Sequence, residues 1–423
     1  MPSEDKKKKS QNSASSHTTI DTDIAIIGGG PSGMMAALRL AERGYKVELF
    51  EARPSLARKF QLAGRGGLNI THSENVDRFL TRYGSEAALF ANYLASFSPD
   101  NLRDFCGQMG EETFVGSSGR VFPEGFKATT LLRNWIRALS AAGVTLHTKH
   151  RWIDFDTSNN PVIQRADHSL CTIRAKATVL ALGGGSWPRM GSDAKWIPLL
   201  REQGISITPL SPSNCGYHSH HASLFPKELC GQPLKNIALH LDDESVNGEV
   251  ILTSYGLEGN ALYALGRSVR EKIAQEGMVT IFIDLKPALS LEKIIERLNK
   301  RPAKHSMTRH LKRELKLTES SISLLKVLTN QEDFTSSRRL ASLIKRLPFS
   351  LSEPRPMEEA ISTAGGVDFE ECTEGLMLKK LPGVFVAGEM LNWDAPTGGY
   401  LLQGCISMGH YLAGTIDDYL KQH

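Results

Sequence analysis

The chain contains no long hydrophobic run, although 40% of its 423 residues are hydrophobic. No apolar stretch approaches the roughly 18 residues that a membrane-spanning helix requires. It also has no strong excess of charge of one sign, since 50 basic residues stand against 46 acidic ones. We therefore expect a globular protein of roughly two or three domains without a membrane partner, and its overall charge selects no class of ligand.

Cysteine is scarce and scattered. None of the six residues has a partner at CxxC or CxxxxC spacing, and they are Cys106, Cys171, Cys215, Cys230, Cys372 and Cys405. This predicts reduced thiols, a cytoplasmic location and no dithiol redox centre. Three histidines, His218, His220 and His221, lie between Cys215 and Cys230, but the spacing fits no structural zinc pattern. We predict a polar surface loop there and no metal site.

The N-terminal segment, residues 1–20, is polar, rich in serine and carries four consecutive lysines at 6–9. It has no apolar region of the kind found in secretory signals. We expect a solvated, disordered tail; a basic arm that binds nucleic acid or a membrane surface is the alternative.

A dinucleotide-binding fingerprint follows this tail. Residues 24–27 form an apolar run typical of a buried parallel strand, and they lead into a G-x-G-x-x-G motif at 28–33. A helix is predicted over 34–43 and a second strand over 45–50. Glu51 ends that strand, 18 residues after Gly33. Strand, glycines, helix, strand and acid occur in the order that makes the motif specific.

Each position of the fingerprint has a chemical reason. Gly28 permits the tight turn, Gly30 lets the backbone approach a pyrophosphate, and Gly33 lets helix and strand pack closely. The free N–H groups at the helix start face the phosphates. Glu51 accepts hydrogen bonds from a ribose 2′-OH and repels a 2′-phosphate. The ligand is therefore an adenosine dinucleotide without a 2′-phosphate, and Glu51 does not decide between FAD and NAD.

Two later segments favour FAD. An apolar strand at 178–182 runs into glycines at 183–185, and another at 383–387 runs into Gly388 and Glu389. A glycine-rich stretch at 398–404 then opens a helix that continues to about 420. This arrangement resembles the flavoproteins with two dinucleotide-binding domains, whose FAD spans both ends of the chain. The resemblance implies that Glu389 binds the ribityl hydroxyls and that the last helix points its N-terminus at the flavin pyrimidine edge.

The glycines at 183–185 do not form a complete second fingerprint. The third glycine position is occupied by Pro188, and no acid-terminated strand follows. We expect no dedicated NAD(P) domain, although NAD(P)H can reduce a flavin without one.

Between these anchors the chain resembles one bacterial flavoprotein family. Its members include aminoacetone-oxidase-like proteins, bile-acid enone reductases and an rRNA dihydrouridine synthase. The resemblance rests on residues 59–71, 119–123, 248–259 and 363–367. The chain departs from it at Leu68, where many members have cysteine, and at 258–260, where many have Ser-Gly-Pro. These departures indicate a divergent subgroup and leave the substrate open.

The resemblance implies an α/β fold with a Rossmann-like FAD-binding domain built from both chain ends, 21–194 and 361–423. Into it is set a β-barrel-like domain, 195–258 and 341–360, which carries a helical insertion at 259–340. The expected cofactor-binding residues are Gly28, Gly30, Pro31, Ser32, Gly33, Glu51, Ala52, Arg53, Lys59, Gly64, Arg65, Gly66, Gly67, Asn69, Ala181, Gly183, Gly184, Gly388, Glu389, Gly398, Gly399, Tyr400, Leu401 and Leu402.

Catalytic residues are not determined by the sequence. Arg65 and Asn69, in a glycine-rich loop, are candidates for contacts with the flavin or the substrate, and an outward-facing arginine in a structural turn is the alternative. Tyr400 and His72 are candidate proton donors.

The predicted helical insertion is basic. Residues 291–350 contain 14 Lys or Arg against 6 Asp or Glu. A solvated helical surface is one interpretation, and an anionic partner such as RNA is the other.

We expect an FAD-dependent oxidoreductase with non-covalently bound FAD that acts on a small organic substrate, as an oxidase or as an NAD(P)H-dependent reductase. Two alternatives are a flavin-dependent reductase that forms dihydrouridine in rRNA, and a flavin-binding protein without catalytic activity.

Overall fold

Strands and helices alternate through most of the chain. The computed structural model describes residues 17–64 and 67–423. Within these residues the strands are β1 (Thr18–Ile27), β2 (Val47–Glu51), β3 (Thr71–His72), β4 (Thr113–Val115), β5 (Arg120–Pro123), β6 (Thr145–Thr148), β7 (Arg151–Phe155), β8 (Pro161–Gln164), β9 (Leu170–Leu180), β10 (Ile207–Ser213), β11 (Tyr217–His218), β12 (Pro233–Leu241), β13 (Glu244–Leu252), β14 (Gly256–Glu258), β15 (Val279–Asp284), β16 (Leu347–Leu351), β17 (Ser362–Val367) and β18 (Val384–Val386).

The helices of the described residues are α1 (Pro31–Ala41), α2 (Arg58–Ala63), α3 (Val76–Thr81), α4 (Ala87–Ser96), α5 (Pro99–Gln108), α6 (Ala128–Ala141), α7 (Trp196–Glu202), α8 (Asn260–Ala264), α9 (Gly266–Glu276), α10 (Leu291–Asn299), α11 (Met307–Glu314), α12 (Glu319–Leu328), α13 (Ser337–Lys345) and α14 (Tyr400–Gln422). No helix among them is long and apolar enough to cross a membrane.

The first unit is built around a seven-stranded sheet in the order β6-β2-β1-β9-β8-β7, with β18 also paired to β9. The strands β6, β2, β1, β9 and β18 run parallel to one another. Their carboxyl ends therefore meet at one edge of the sheet, as in other open α/β sheets. Strands from both ends of the chain are joined here, which gives the Rossmann-like arrangement that the sequence predicted.

Helices α1 and α14 pack against each other beside this sheet. Their close approach depends on Gly409 of α14, where a Cβ atom would lie 2.3 Å from the carbonyl oxygen of Ser32. Buried aliphatic side chains fill the interior, and Ile24 and Ile26 of β1 are fully buried. The last helix of the chain is thus fixed next to the first.

Strand β1 begins before the predicted boundary of the N-terminal tail. Thr18, Thr19 and Ile20 pair in parallel with residues 171–173 of β9. The prediction of a disordered tail over 1–20 is therefore wrong for residues 18–20, because the backbone there is held by the sheet. The rest of the tail, residues 1–16, lies outside the described residues.

The second unit is a six-stranded antiparallel sheet in the order β11-β14-β13-β12-β15-β16. Its two ends come together just beyond β16, since His218 N donates to Glu353 O at 2.8 Å and Ser352 N donates to His218 O at 2.8 Å. The unit has its own apolar core, in which Leu239 and Ile281 are fully buried. Strands β10 and β17 connect it to the first unit as an antiparallel pair.

The span predicted as a helical insertion, 259–340, is not helical throughout. It contains β15, which lies between β12 and β16 in the sheet, and its last helix α13 continues to Lys345. Val279, Ile281 and Ile283 are buried while Thr280 is exposed. This period-2 alternation of β-branched residues is the signal for a strand that was overlooked. The helical residues of this span form short separate helices, with α8 and α9 over 260–276 and α11 and α12 over 307–328.

The Cys215 region also differs from the prediction. Cys215 is 2% exposed and belongs to the core of the second unit, so it does not lie on a surface loop. Among the described residues, no group of three His, Cys, Asp or Glu side chains is placed to hold a metal ion.

Candidate functional site

A cleft opens at the edge of the first unit where the parallel strands end. It encloses about 1030 Å³, its open mouth included. Eleven of the predicted cofactor residues line it, and they are Gly28, Gly30, Pro31, Ser32, Glu51, Ala52, Lys59, Ala181, Gly183, Gly388 and Glu389. A cleft outside the carboxyl ends of the strands is the usual ligand site of such sheets.

The glycine-rich turn after β1 has the shape that the fingerprint requires. Gly28 has φ +114°, and a Cβ atom on it would lie 2.2 Å from Ala181 O. A Cβ on Gly33 would lie 2.1 Å from Gly28 O, so this glycine lets α1 pack against the turn. Gly30 differs, because no protein atom lies within 4 Å of its Cβ position. The space beside Gly30 is therefore left open on the side of the cleft.

Helix α1 begins at this open space. Its N-cap is Gly30, and no side chain accepts a hydrogen bond from the first turn. Uncapped N–H groups at a helix start bind phosphate groups well, because the helix dipole adds to the hydrogen bonds. The backbone between Gly30 and Ser32 thus fits a pyrophosphate.

Glu51 lies at the end of β2 and orders the chain around it. Its carboxylate accepts hydrogen bonds from Gly29 N at 3.0 Å and from Arg53 N at 2.7 Å. Burial raises the pKa of Glu51, and the two backbone N–H groups oppose that effect. Arg53 lies behind the cleft lining, where its guanidinium donates to Pro188 O at 2.5 Å.

Lys59 and Glu389 form an ion pair at the cleft. Lys59 Nζ lies 2.8 Å from Glu389 Oε2 and donates to Ser186 Oγ at 2.7 Å. Glu389 Oε1 also accepts a hydrogen bond from Thr363 N at 3.1 Å. These contacts join α2, the glycine-rich segment after β9 and the end of β18 around one carboxylate. Gly184 belongs to this junction, since a Cβ on it would meet Thr363 Oγ1 at 2.5 Å.

Part of the cleft was not predicted. Residues 150–152, which follow β6, and residues 190–193, which follow the glycine-rich segment after β9, also line it. Strand β6 pairs in parallel with β2, so the residues after it reach the same edge as Glu51. The sequence signal for this part of the cleft is the short strand at 145–148, which was missed.

A second group of predicted residues gathers at the start of α14. Gly399 is the N-cap with φ +94°, and a Cβ on it would lie 2.5 Å from the backbone of Thr71. The side-chain oxygens of Asn69 and Thr71 are buried here without a hydrogen-bond partner among the described residues. Such orphaned polar atoms require an explanation, and a bound polar ligand supplies one. Thr71, which is fully buried, was not predicted as a site residue.

The two candidate proton donors lie in one hydrogen-bond network. Tyr400 Oη donates to Glu74 Oε1 at 2.6 Å, and Arg82 binds the same carboxylate through two nitrogens at 3.0 and 2.9 Å. His72 stacks on the Tyr400 ring at 5.4 Å, and its Nδ1 accepts a hydrogen bond from Glu74 N. Burial, followed by the Glu74 hydrogen bond, raises the pKa of Tyr400. Tyr400 is therefore a weak acid that is held in place.

The remaining predicted residues have different positions. Gly64 packs on α6, since a Cβ on it would lie 2.4 Å from Ala128 Cβ, and Gly67 has φ +104°. Gly398 has φ +133°. Leu401 and Leu402 are half-buried in the first turn of α14. Arg65 and Gly66 lie outside the described residues.

The chain is similar to characterised proteins along most of its length. Residues 22–416 match the family model described as the HI0933-like protein Rossmann domain. The ribosomal RNA dihydrouridine synthase of Haemophilus influenzae is 22% identical over 400 residues, which cover 92% of this chain and 97% of that protein. A thiamine thiazole synthase of Solidesulfovibrio magneticus is 56% identical over 39 residues, only 15% of its own length.

Solved structures share the fold at low identity. The 3-ketosteroid Δ1-dehydrogenase of Sterolibacterium denitrificans covers 94% of this chain and 100% of its own, with a TM-score of 0.52 and 12% identity. The Sdh1 complex of Mycobacterium smegmatis covers 96% of this chain and 70% of its own, with a TM-score of 0.50 and 13% identity. The match over 22–416 shows that the chain belongs to the HI0933-like family, with a Rossmann domain.

Proposed function

We propose that this protein is an FAD-dependent oxidoreductase that transfers hydride between a small organic substrate and non-covalently bound FAD. The observation that carries the proposal is the cleft at the sheet edge, where an uncapped helix start at Gly30, Glu51 and Glu389 line one continuous space. Each of these groups matches a different part of an unphosphorylated adenosine dinucleotide. The family match supports the same cofactor.

The residues along the cleft suggest how FAD is held. Glu51 accepts the ribose hydroxyls. The N–H groups of Gly30 and Ser32 hold the pyrophosphate, and Lys59 neutralises part of its charge. Glu389 accepts the ribityl hydroxyls. When bound, FAD supplies the hydride chemistry, and the protein contributes position and electrostatics.

Helix α14 is placed to stabilise the flavin in its reduced form. It has 23 residues, and no side chain caps its N-terminus at Gly399. The partial positive charge of an uncapped helix start favours negative charge on a neighbouring group. Asn69 and Thr71, with unpaired oxygens beside this start, are the proposed contacts to the ring edge.

The direction of the reaction is open. The incomplete glycine pattern at 183–188 does not support a dedicated NAD(P) domain, so NAD(P)H is proposed only as a possible external electron donor. The aminoacetone-oxidase-like subgroup is likewise a proposal, because the family match is to the broader group.

An RNA-modifying reductase is a second candidate, favoured by the basic residues at 291–350 and by the similarity to the rRNA dihydrouridine synthase. Part of that charge already takes part in contacts within the protein. Arg339 pairs with Asp333 at 2.7 Å, Lys345 pairs with Asp284 at 2.5 Å, and Arg346 covers the ring of Phe282 at 3.7 Å. An RNA-binding surface therefore has to use other exposed cations of this basic lobe, residues 291–350.

The first prediction concerns the pyrophosphate cradle. Gly30→Leu fills the open space beside α1 and should weaken FAD binding by about 100-fold, the cost of two lost charge-assisted hydrogen bonds. Thermal stability of the apoprotein should change little, because no protein atom lies within 4 Å of the new Cβ. Fluorescence titration with FAD measures the affinity. Gly414→Leu, on α14 with similarly open space, is the matched control and should bind FAD normally.

The second prediction concerns turnover. FAD-loaded protein, kept anaerobic, should lose its visible flavin absorbance when an electron donor is added. Bleaching by NADH or NADPH assigns a reductase, and bleaching only by an amine or another organic donor assigns an oxidase. A flavin that remains oxidised with every donor, yet is reduced by dithionite, contradicts the enzymatic proposal and favours the non-catalytic alternative.

The third prediction separates RNA binding from solvated surface charge. Lys304, Arg309 and Lys316 are exposed and form no ion pair among the described residues. If RNA binds this lobe, replacing all three with Glu should lower RNA affinity. The slope of log affinity against log salt concentration should also become shallower, by the contribution of about three phosphate contacts. Filter binding at several salt concentrations measures both. Equal binding by the triple variant and the wild type contradicts an RNA role for the lobe.

A further inference from the structure

A second cavity lies beside the cofactor cleft, between α2 and α6. It encloses about 960 Å³, its open mouth included, and shares Arg58 and Met190 with the cleft. Its polar lining consists of Ser55, Arg58, Gln61, Lys127 and Thr129. Of its residues only Gly64 was predicted to bind the cofactor, and Arg58 and Met190 also line the cofactor cleft.

The cavity is positively charged. Two of its lining side chains are cations, and none of its lining residues is acidic. Neither Arg58 nor Lys127 forms an ion pair with a carboxylate in the part of the chain that the structure describes. This contrasts with the cofactor cleft, where Glu51, Asp193 and Glu389 are present in the lining.

Arg58 has unused hydrogen-bonding capacity at this wall. Its Nη2 lies 4.0 Å from Met190 Sδ, and a thioether is only a weak acceptor. Its Nε is buried without a hydrogen-bond partner among the described residues. A buried guanidinium N–H without an acceptor is costly, so the arrangement favours a ligand that brings one.

We propose that this cavity binds the phosphomonoester group of a small ligand. A phosphomonoester carries nearly two negative charges and several acceptor oxygens, which suits two unpaired cations with the neutral donors Ser55, Gln61 and Thr129 around them. Glu51 disfavours a phosphate on the adenosine ribose inside the cofactor cleft. The neighbouring cavity has no such carboxylate. Free inorganic phosphate has a similar charge and similar acceptor oxygens, so the site can take either that anion or the phosphomonoester of a nucleotide such as NADPH, whose 2′-phosphate is a monoester.

The proposal does not depend on whether the flavin turns over. Lys127 lies outside the cofactor cleft, so its loss should affect phosphate binding while FAD affinity stays at the wild-type value. Failure of the cofactor assignment would appear as lost FAD binding in the wild type, which is measured separately.

Calorimetric titration of the FAD-loaded protein tests the site, with inorganic phosphate, 2′-AMP, NADPH and NADH as probes. Wild-type protein should bind at least one phosphomonoester, and Lys127→Gln should lower that affinity by about tenfold or more, as expected for loss of a charge-assisted contact. Lys235→Gln, which removes an exposed lysine of the second unit, is the matched control and should bind normally. Arg58→Gln should weaken phosphomonoester binding further. Because Arg58 also lines the cofactor cleft, the FAD affinity of this variant is measured as well.

The probes distinguish the sources. Stronger binding of 2′-AMP and NADPH than of phosphate and NADH assigns a nucleotide, whereas equal binding of phosphate and 2′-AMP assigns free phosphate. The proposal is overturned if no phosphomonoester binds at millimolar concentration, or if Lys127→Gln and Arg58→Gln bind as the wild type does. It is also overturned if only a single-stranded RNA oligomer binds through these residues.

Discussion

The parallel pairing of β1 with β9 is the constraint on which the site depends. The two strands pair from Thr18–Cys171 to Ile27–Leu180, and β18 adds to β9 at residues 178–180. The fingerprint turn, the glycines after β9 and Glu389 after β18 therefore reach the same edge. Residues 330 positions apart become neighbours because three strand ends are in register. The Lys59–Glu389 ion pair is one consequence of that register.

A buried amide helps to tie the second unit to the same place. Asn214 accepts a hydrogen bond from Thr397 N at 3.0 Å and donates to Ala395 O at 2.8 Å and Ser362 Oγ at 2.6 Å. This side chain is 3% exposed, so its hydrogen bonds are protected from water. It fixes the segment that precedes α14 against the strand β17. The start of α14, where the flavin edge is proposed to lie, is thus held by both units.

The parts of the site that could be predicted are those in which local sequence and function coincide. A G-x-G-x-x-G turn needs glycine for reasons that act within a few residues, so Gly28 and Gly33 could be assigned without a structure. His150 and Thr71 enter the site through strand pairings between segments that are distant in the sequence. Strand β15 was missed for a different reason. Its period-2 alternation of residues is visible in the sequence, but the strand lies between segments with strong helical patterns. The RNA hypothesis shows a further limit, since residue counts cannot tell that Lys345 is paired with a buried carboxylate.

The central claim is that FAD occupies the cleft at the shared strand edge, and the visible spectrum of the purified protein tests it most directly. Our account predicts visible flavin absorbance from a cofactor that denaturation releases as FAD, and it predicts that the absorbance returns when FAD is added to the apoprotein. Colourless protein that also fails to bind added FAD would contradict the account.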